Sequence, residues 1–321
     1  MRIVMMGTGP FAVPTFEALY DSRHEVLALF TRPDRKQQGR IKTPRNPMRA
    51  LAVERGTPVH DPESINSSHA RMVLASYRPD LLVVCDYGQI LKPAALEIAR
   101  LGGINLHASL LPKYRGAAPI NWAIYHGEPE TGVTVIHMTP QLDAGPAIAQ
   151  ARLPIGPDDT AAELEPRLAQ IGAPLVLQAI DALEAGTAQP IEQDNTQATK
   201  APRLNKELGA IDWARPAQAI KNQIRALQPW PKSFTFWHRQ GGEPLRVIID
   251  RVLVQDLQGS PGEVLAAEGE RLIVAAGEGS LAIERIQPAG KRLLTAGEFL
   301  RGYPVRPGQR LGPADGGQAA G

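Results

Sequence analysis

The sequence has a single cysteine, Cys85, in 321 residues, so no intramolecular disulfide can form and a reducing compartment fits. That cysteine ends the apolar run Leu81-Leu82-Val83-Val84-Cys85, where a buried thiol is expected rather than a nucleophile. No stretch is long and apolar enough to span a membrane. The opening Met1-Arg2-Ile3-Val4-Met5-Met6-Gly7 already reads as a strand. Neither a secretory signal nor an Arg/Ser-rich leader precedes it, and the cytoplasm is the expected location. No set of His, Cys and acidic residues has metal-ligand spacing, so no metal is expected. Nor does charge of one sign dominate: the formal net charge is +2, and what is informative is where the charges fall.

The chain is long enough for two domains with separate cores. Apolar runs at Arg2 to Met6, Glu25 to Phe30, Leu81 to Cys85, Gly103 to Leu106 and Val133 to Met138 alternate with helical patterns. Those patterns cover Ala12 to Tyr20, Met48 to Arg55, Ala70 to Tyr77 and Ala94 to Ala99. This is the βαβ rhythm of an α/β fold, a Rossmann-like, largely parallel sheet with helices on both faces. Gly7-Thr8-Gly9-Pro10-Phe11-Ala12 imitates a dinucleotide fingerprint. Pro10 directly follows the second glycine, however, and no acid ends the second strand at Phe30-Thr31 to hold a ribose. A tight strand-to-helix turn is the better reading.

A helix over Thr160 to Leu183 is followed by the polar, aperiodic segment Thr187 to Gly209. Beyond it come a helix at Pro216 to Leu227 and short strands at Ser233 to Trp237, Leu245 to Ile249, Gly262 to Leu265, Leu272 to Ala275 and Leu281 to Ile286. Glycine-bearing turns separate the strands, which suits a small OB-like β-barrel. The expected organisation is a catalytic domain over 1–186, a linker over 187–209, a barrel over 210–312 and a disordered tail over 313–321.

The chemistry concentrates in Gly103-Ile104-Asn105-Leu106-His107-Ala108-Ser109-Leu110-Leu111-Pro112. Asn105 and His107 are two residues apart, so on a strand both point to one face. They stand where that strand ends, the usual ligand edge of an open α/β sheet. A second loop, Gln141-Leu142-Asp143-Ala144-Gly145-Pro146, follows the strand Gly132 to Met138. Asn105, His107 and Asp143 form a candidate catalytic trio. Separately, Arg32 to Arg49 holds seven Arg or Lys against one Asp. Composition alone makes this a solvated face or a phosphate-gripping loop.

The run NLHASLLPKYRGAAPINWAI, followed by ETGVTVIHMTPQLDAGP, closely resembles the signature of the folate-dependent formyltransferase family, an N-x-H-x-S-L-L-P strand end and a distant L-D-x-G loop. The turn at Gly7 fits as well, with Gly9 in place of the family's usual proline. The resemblance implies catalytic roles for Asn105, His107 and Asp143. It also implies a folate site shaped by Ser109, Leu110, Leu111 and Pro112 and by the backbone of Asp86, Tyr87 and Gly88. The basic loop and the Pro229-Trp230-Pro231 segment before the barrel resemble the members that formylate initiator methionyl-tRNA. Arg40 and Lys42 are then the expected tRNA contacts. The implied reaction moves a formyl group from 10-formyltetrahydrofolate, a cosubstrate, to the amino group of methionyl initiator tRNA, with the chain acting as a monomer. A formyl-folate hydrolase or a sugar-nucleotide formyltransferase would share the trio, but the basic loop favours RNA.

That chemistry suits the residue types. An α-amino group has a pKa of roughly 7.7–8, so a fair fraction is neutral near pH 7. The larger demand is the oxyanion on the formyl oxygen, where one preorganised donor is worth about 100- to 1000-fold in rate. Asn105 and protonated His107 would supply donors. Asp143 would partner the imidazole and take the amine's proton, directly or through a water.

Overall fold

The computed structural model describes residues 1–34, 46–239 and 242–314. Its packing divides into two compact units. One comprises residues 1–120, 130–154 and 163–202, the other residues 121–129, 155–162 and 203–321.

In the first unit the apolar runs become strands β1 (Arg2–Gly7), β2 (Glu25–Phe30), β3 (Val59–His60), β4 (Leu81–Cys85) and β5 (Gly103–His107). A two-residue strand β6 (Arg115–Gly116) follows, then β7 (Glu130–His137), β8 (Ala147–Pro154) and another short strand, β9 (Lys200–Ala201). The main sheet runs β3-β2-β1-β4-β5-β7-β8, while β6 and β9 pair apart from it. The first five strands of that order are parallel. Their continuous Ile/Val/Leu runs are what burial on both faces requires; every residue of β4 is buried. Val4, Met6, Phe30, Leu74, Leu82, Val84 and Tyr87 share one core cluster.

Helices α1 (Val13–Tyr20), α2 (Pro47–Glu54) and α3 (Ser68–Ser76) connect the early strands. Their starts are written in the sequence. Asn46 accepts from the Met48 and Arg49 amides with Pro47 at the first helical position, and Ser67 accepts from the Ala70 amide; such caps satisfy otherwise orphaned donors.

One strand direction departs from the largely parallel arrangement that the alternating pattern suggests. β7 pairs antiparallel with β5, His107 opposite Thr134 and Ile104 opposite His137. Hydrophobic patterning gives a strand's faces but not its direction. The loop after β7 therefore leaves beside the start of β5, where the Met138 amide donates to the Gly103 carbonyl, and returns along the sheet toward His107.

The second unit is built on β10 (Ser233–His238), β11 (Leu245–Gln255), β12 (Val264–Glu268), β13 (Arg271–Ala275), β14 (Ser280–Pro288), β15 (Leu294–Thr295) and β16 (Arg310–Gly312). These run antiparallel in the order β12-β13-β14-β11-β10-β16, with β15 on β14. A bridge between Glu263 and Arg310 joins the two ends, closing the sheet as the OB-like pattern suggests. Trp213, Ile220, Trp237, Val247, Ile249, Leu281 and Phe299 lie in its core. Residues 121–129 and 155–162 belong here too. Arg225 donates to the Gly156 and Asp159 carbonyls, and Asn121 donates to the Ala226 carbonyl. Among the described residues, no helix is long and apolar enough to cross a membrane.

Candidate active site

The site residues stand at the C-terminal edge of the parallel strands. His107 is the last residue of β5 and is buried, while Asn105 on the same face is half-buried. The imidazole is aimed from both sides. Its Nε2 lies 2.8 Å from the Tyr114 carbonyl oxygen, which can only accept, so Nε2 carries a hydrogen and donates. Its Nδ1 lies 3.7 Å from Asp143 Oδ2. Asp143 is held in turn: Oδ2 accepts from the Gly116 amide at 2.9 Å. The Asn105 amide group makes no hydrogen bond to another described residue.

The structure thus brings the three trio residues to one place from β5 and from the β7–β8 loop. Gly145 explains the glycine of the L-D-x-G pattern, because a Cβ there would overlap the His137 carbonyl oxygen. Asp143 itself has a φ of 50°, and Tyr114, whose carbonyl orients the imidazole, has 64°. Left-handed backbone in non-glycine residues costs about 1–3 kcal/mol each and persists where the surroundings over-determine it.

Residues 109–112 are fixed by β7 and β8. Thr134 Oγ1 donates to the Ser109 carbonyl and accepts from the Leu111 amide, and Gln150 Nε2 donates to the Leu111 carbonyl. Ser109 Oγ donates to the Lys113 carbonyl at 2.7 Å, so its hydroxyl closes the loop on itself. The Leu111–Pro112 peptide is cis. Asp86, Tyr87 and Gly88 stand at the end of β4, next to the first turn: the Thr8 amide donates to the Asp86 carbonyl and Thr8 Oγ1 to the Tyr87 carbonyl. Asp86 is exposed by surface area, yet its carboxyl packs closely against Gly9. That partial desolvation, with Glu165 nearby, pushes its pKa up to about 6 against the pull of Arg32 and the Gly9 amide. Arg40 and Lys42 lie outside the described residues.

Sequence reasoning missed several supports. Gln193, within the segment expected as a linker, donates to the carbonyls of Asp143 and Gly145 and accepts from Arg115. Thr199 Oγ1 accepts from the Tyr114 amide. Neither sits in a periodic pattern, so no local signal announces them. Thr134 carries a faint one, a hydroxyl set between Val133 and Val135 in the strand. Cys85 is fully buried, and burial raises its thiol well above the ordinary range. Among the described residues, His24, Asp181 and Glu184 approach closely enough to ligate an ion, but the Arg23 guanidinium pairs with both carboxylates at 2.7 Å.

Comparison with known proteins agrees across the whole chain. Residues 1–180 match the family described as formyl transferase, and residues 203–304 match the formyl transferase C-terminal domain. A methionyl-tRNA formyltransferase of Trichlorobacter lovleyi is 43% identical over 97% of each chain. That of Rhodopirellula baltica is 44% identical over 97% of this chain and 96% of its own. In fold, the chain is similar to a sugar 3N-formyl transferase solved with dTDP and 5-N-formyl-THF, at a TM-score of 0.66 and 19% identity, covering 91% of this chain and 99% of that one. With both parts matched and full-length relatives at this identity, the chain belongs to the formyl transferase family, among the methionyl-tRNA formyltransferases.

Proposed function

We propose that this chain transfers the formyl group of 10-formyltetrahydrofolate to the α-amino group of methionyl initiator tRNA. The observation that carries the chemistry is the doubly held imidazole. With Nε2 committed to the Tyr114 carbonyl, Nδ1 is the nitrogen left for a reacting group, and it lies 3.7 Å from the Asp143 carboxylate.

The roles follow from the atoms. Asn105, whose amide has no hydrogen-bond partner among the described residues, and His107 Nδ1–H, in the protonated imidazole, donate to the formyl oxygen as it gains negative charge. Asp143 keeps one carboxylate oxygen on the Gly116 amide; the other takes the proton that the attacking amine sheds, directly or through a water. As the new C–N bond forms, the bond from carbon to the folate nitrogen breaks, and that nitrogen must receive a proton. Asp143 returns it. Ser109 to Pro112, locked by Thr134 and Gln150, give the donor a rigid wall, and the backbone at Asp86, Tyr87 and Gly88 lines the folate's other side. Arg40 and Lys42 contact the tRNA acceptor end, and the barrel adds a second, weaker RNA surface. The protein works in the cytoplasm as a monomer.

The test compares formyl transfer from 10-formyltetrahydrofolate to initiator methionyl-tRNA, free methionine and a sugar-nucleotide amine. Transfer to the charged tRNA alone, weakening steeply with salt, is expected. Folate turnover with a sugar amine as the preferred acceptor would overturn the substrate assignment.

A further inference from the structure

The first turn of the chain looks like a nucleotide site without its acid. In open α/β sheets the crevice at the switch point, outside the strand ends, takes the ligand, and an acid from the second strand holds a ribose hydroxyl. Here the order β2-β1-β4 places that switch between β1 and β4. The second strand ends in Phe30-Thr31 and offers no carboxylate. One arrives from β4 instead. Asp86, with a φ of 46°, turns its carboxylate onto Gly9 so closely that a Cβ at Gly9 would overlap Oδ2.

Register locates this carboxylate relative to the trio. Val84 pairs with Asn105 and Gly7 with Cys85. Asp86 and His107 therefore lie two residues further along adjacent strands, and the carboxylate leans away from β5, over β1. With strands spaced about 4.8 Å, imidazole and carboxylate stand roughly two strand spacings apart, about 10 Å. In an aminoacyl ester the α-nitrogen and the vicinal free ribose hydroxyl are separated by about six bonds, roughly 6–7 Å when extended. Adding a hydrogen bond at each end spans the gap.

We propose that the Asp86 carboxylate, seated on Gly9, accepts a hydrogen bond from the free ribose hydroxyl of the terminal aminoacylated nucleotide, and so positions the α-amine at His107 and Asp143. This rests on the formyl-transfer reading. It assigns the Asp86 side chain to the acceptor rather than to the folate. The carboxylate suits the task because partial burial and the nearby Glu165 disfavour its charge, against the pull of Arg32 and the Gly9 amide. A ligand hydroxyl would supply what the protein withholds. Gly9 has an ordinary extended conformation, φ −90° and ψ 173°, so its lack of a side chain serves the carboxylate rather than the backbone.

The experiment pairs residue and substrate changes. Charged initiator tRNA with an ordinary terminal adenosine is compared with one whose terminal adenosine is 2′-deoxy and acylated on the 3′ oxygen. Each is formylated by the wild type, Asp86→Ala and Gly9→Ala. Removing either partner of a charge-assisted hydrogen bond is expected to raise the KM for tRNA about 10- to 100-fold, leaving the KM for folate unchanged. The two losses should not add: Asp86→Ala should treat both tRNAs alike. Gly9→Ala should imitate Asp86→Ala and have no further effect in its background. Additive losses, or a change in folate KM instead, would overturn the ribose assignment while formylation itself stands. Failure of the wild type to formylate either tRNA would remove the underlying reading and this assignment with it.

Discussion

The two sheets of this protein handle burial in opposite ways. In the first unit β4 is buried at all five residues, and helices connect its neighbours. In the second, β10 alternates buried and half-buried residues along its length, as an antiparallel strand with one face on the core should. A sheet covered on both faces has no surface left for polar chemistry except its ends. There the backbone is bent to serve. Of five non-glycine residues with positive φ among the described residues, Asp86, Tyr114 and Asp143 stand at that edge. The barrel shows polar side chains on an exposed face, where Arg251 pairs with Glu284 and Arg271 with Glu268. One sheet gathers its candidate polar groups at strand ends; the other sets paired charges along an exposed face.

The contrast can be broken first at the strained edge. His107→Ala should lower kcat by about 1000-fold or more while the fold stays intact. Asp143→Asn keeps an oxygen for the Gly116 amide but no proton acceptor, and should lose about 100-fold or more. Near wild-type turnover by either variant would remove the trio. Packing comes next. Leu82→Ala, in fully buried β4, should cost about 2–5 kcal/mol in urea unfolding. Leu253→Ala on β11, 43% exposed, should stay within about 0.5 kcal/mol. Equal costs would mean the two sheets are not covered differently. Smaller still, Arg285→Ala on the barrel should raise the KM for tRNA a few-fold and flatten its salt dependence, with folate unaffected.

The smallest effect concerns stability against pH. The Asp86 carboxyl is raised to about 6, so the folded protein holds that proton more tightly than the unfolded chain. The stability this confers is complete below the ordinary carboxyl range and is lost as pH rises through about 6. Asp86→Asn should therefore flatten the pH dependence of stability between about 4 and 6 and leave the protein no less stable at neutrality, which a series of unfolding curves would show. A drop in stability at pH 7 would mean the carboxylate is structural.

Much of the edge was legible in the sequence because short motifs encode it. Asn105 and His107 announce themselves by period-two spacing on an apolar strand, and Asp143 by its loop punctuated with glycine. The βαβ rhythm and the turn-separated barrel strands were readable for the same reason, since burial writes periodicity. What could not be read is long-range. Strand direction leaves no trace in alternation, so the antiparallel pairing of β7 had to be seen. Gln193 supports the Asp143 loop from 50 residues away in sequence, within a polar stretch with no pattern to mark it. The side-chain direction of Asp86 depends on the missing Cβ of Gly9, a relation between two strands that neither segment carries alone.

The interleaving of the chain has an evolutionary and practical corollary. The polypeptide passes between the two units after residues 120, 129, 154, 162 and 202. Residues 121–129 and 155–162, which the Arg225 and Asn121 hydrogen bonds tie to the second unit, lie in sequence inside the first. No single cut separates the halves as interchangeable cassettes. A protease nick or a stop codon near residue 202 would not release a finished catalytic fragment, but one carrying two segments whose own packing partners had been taken away.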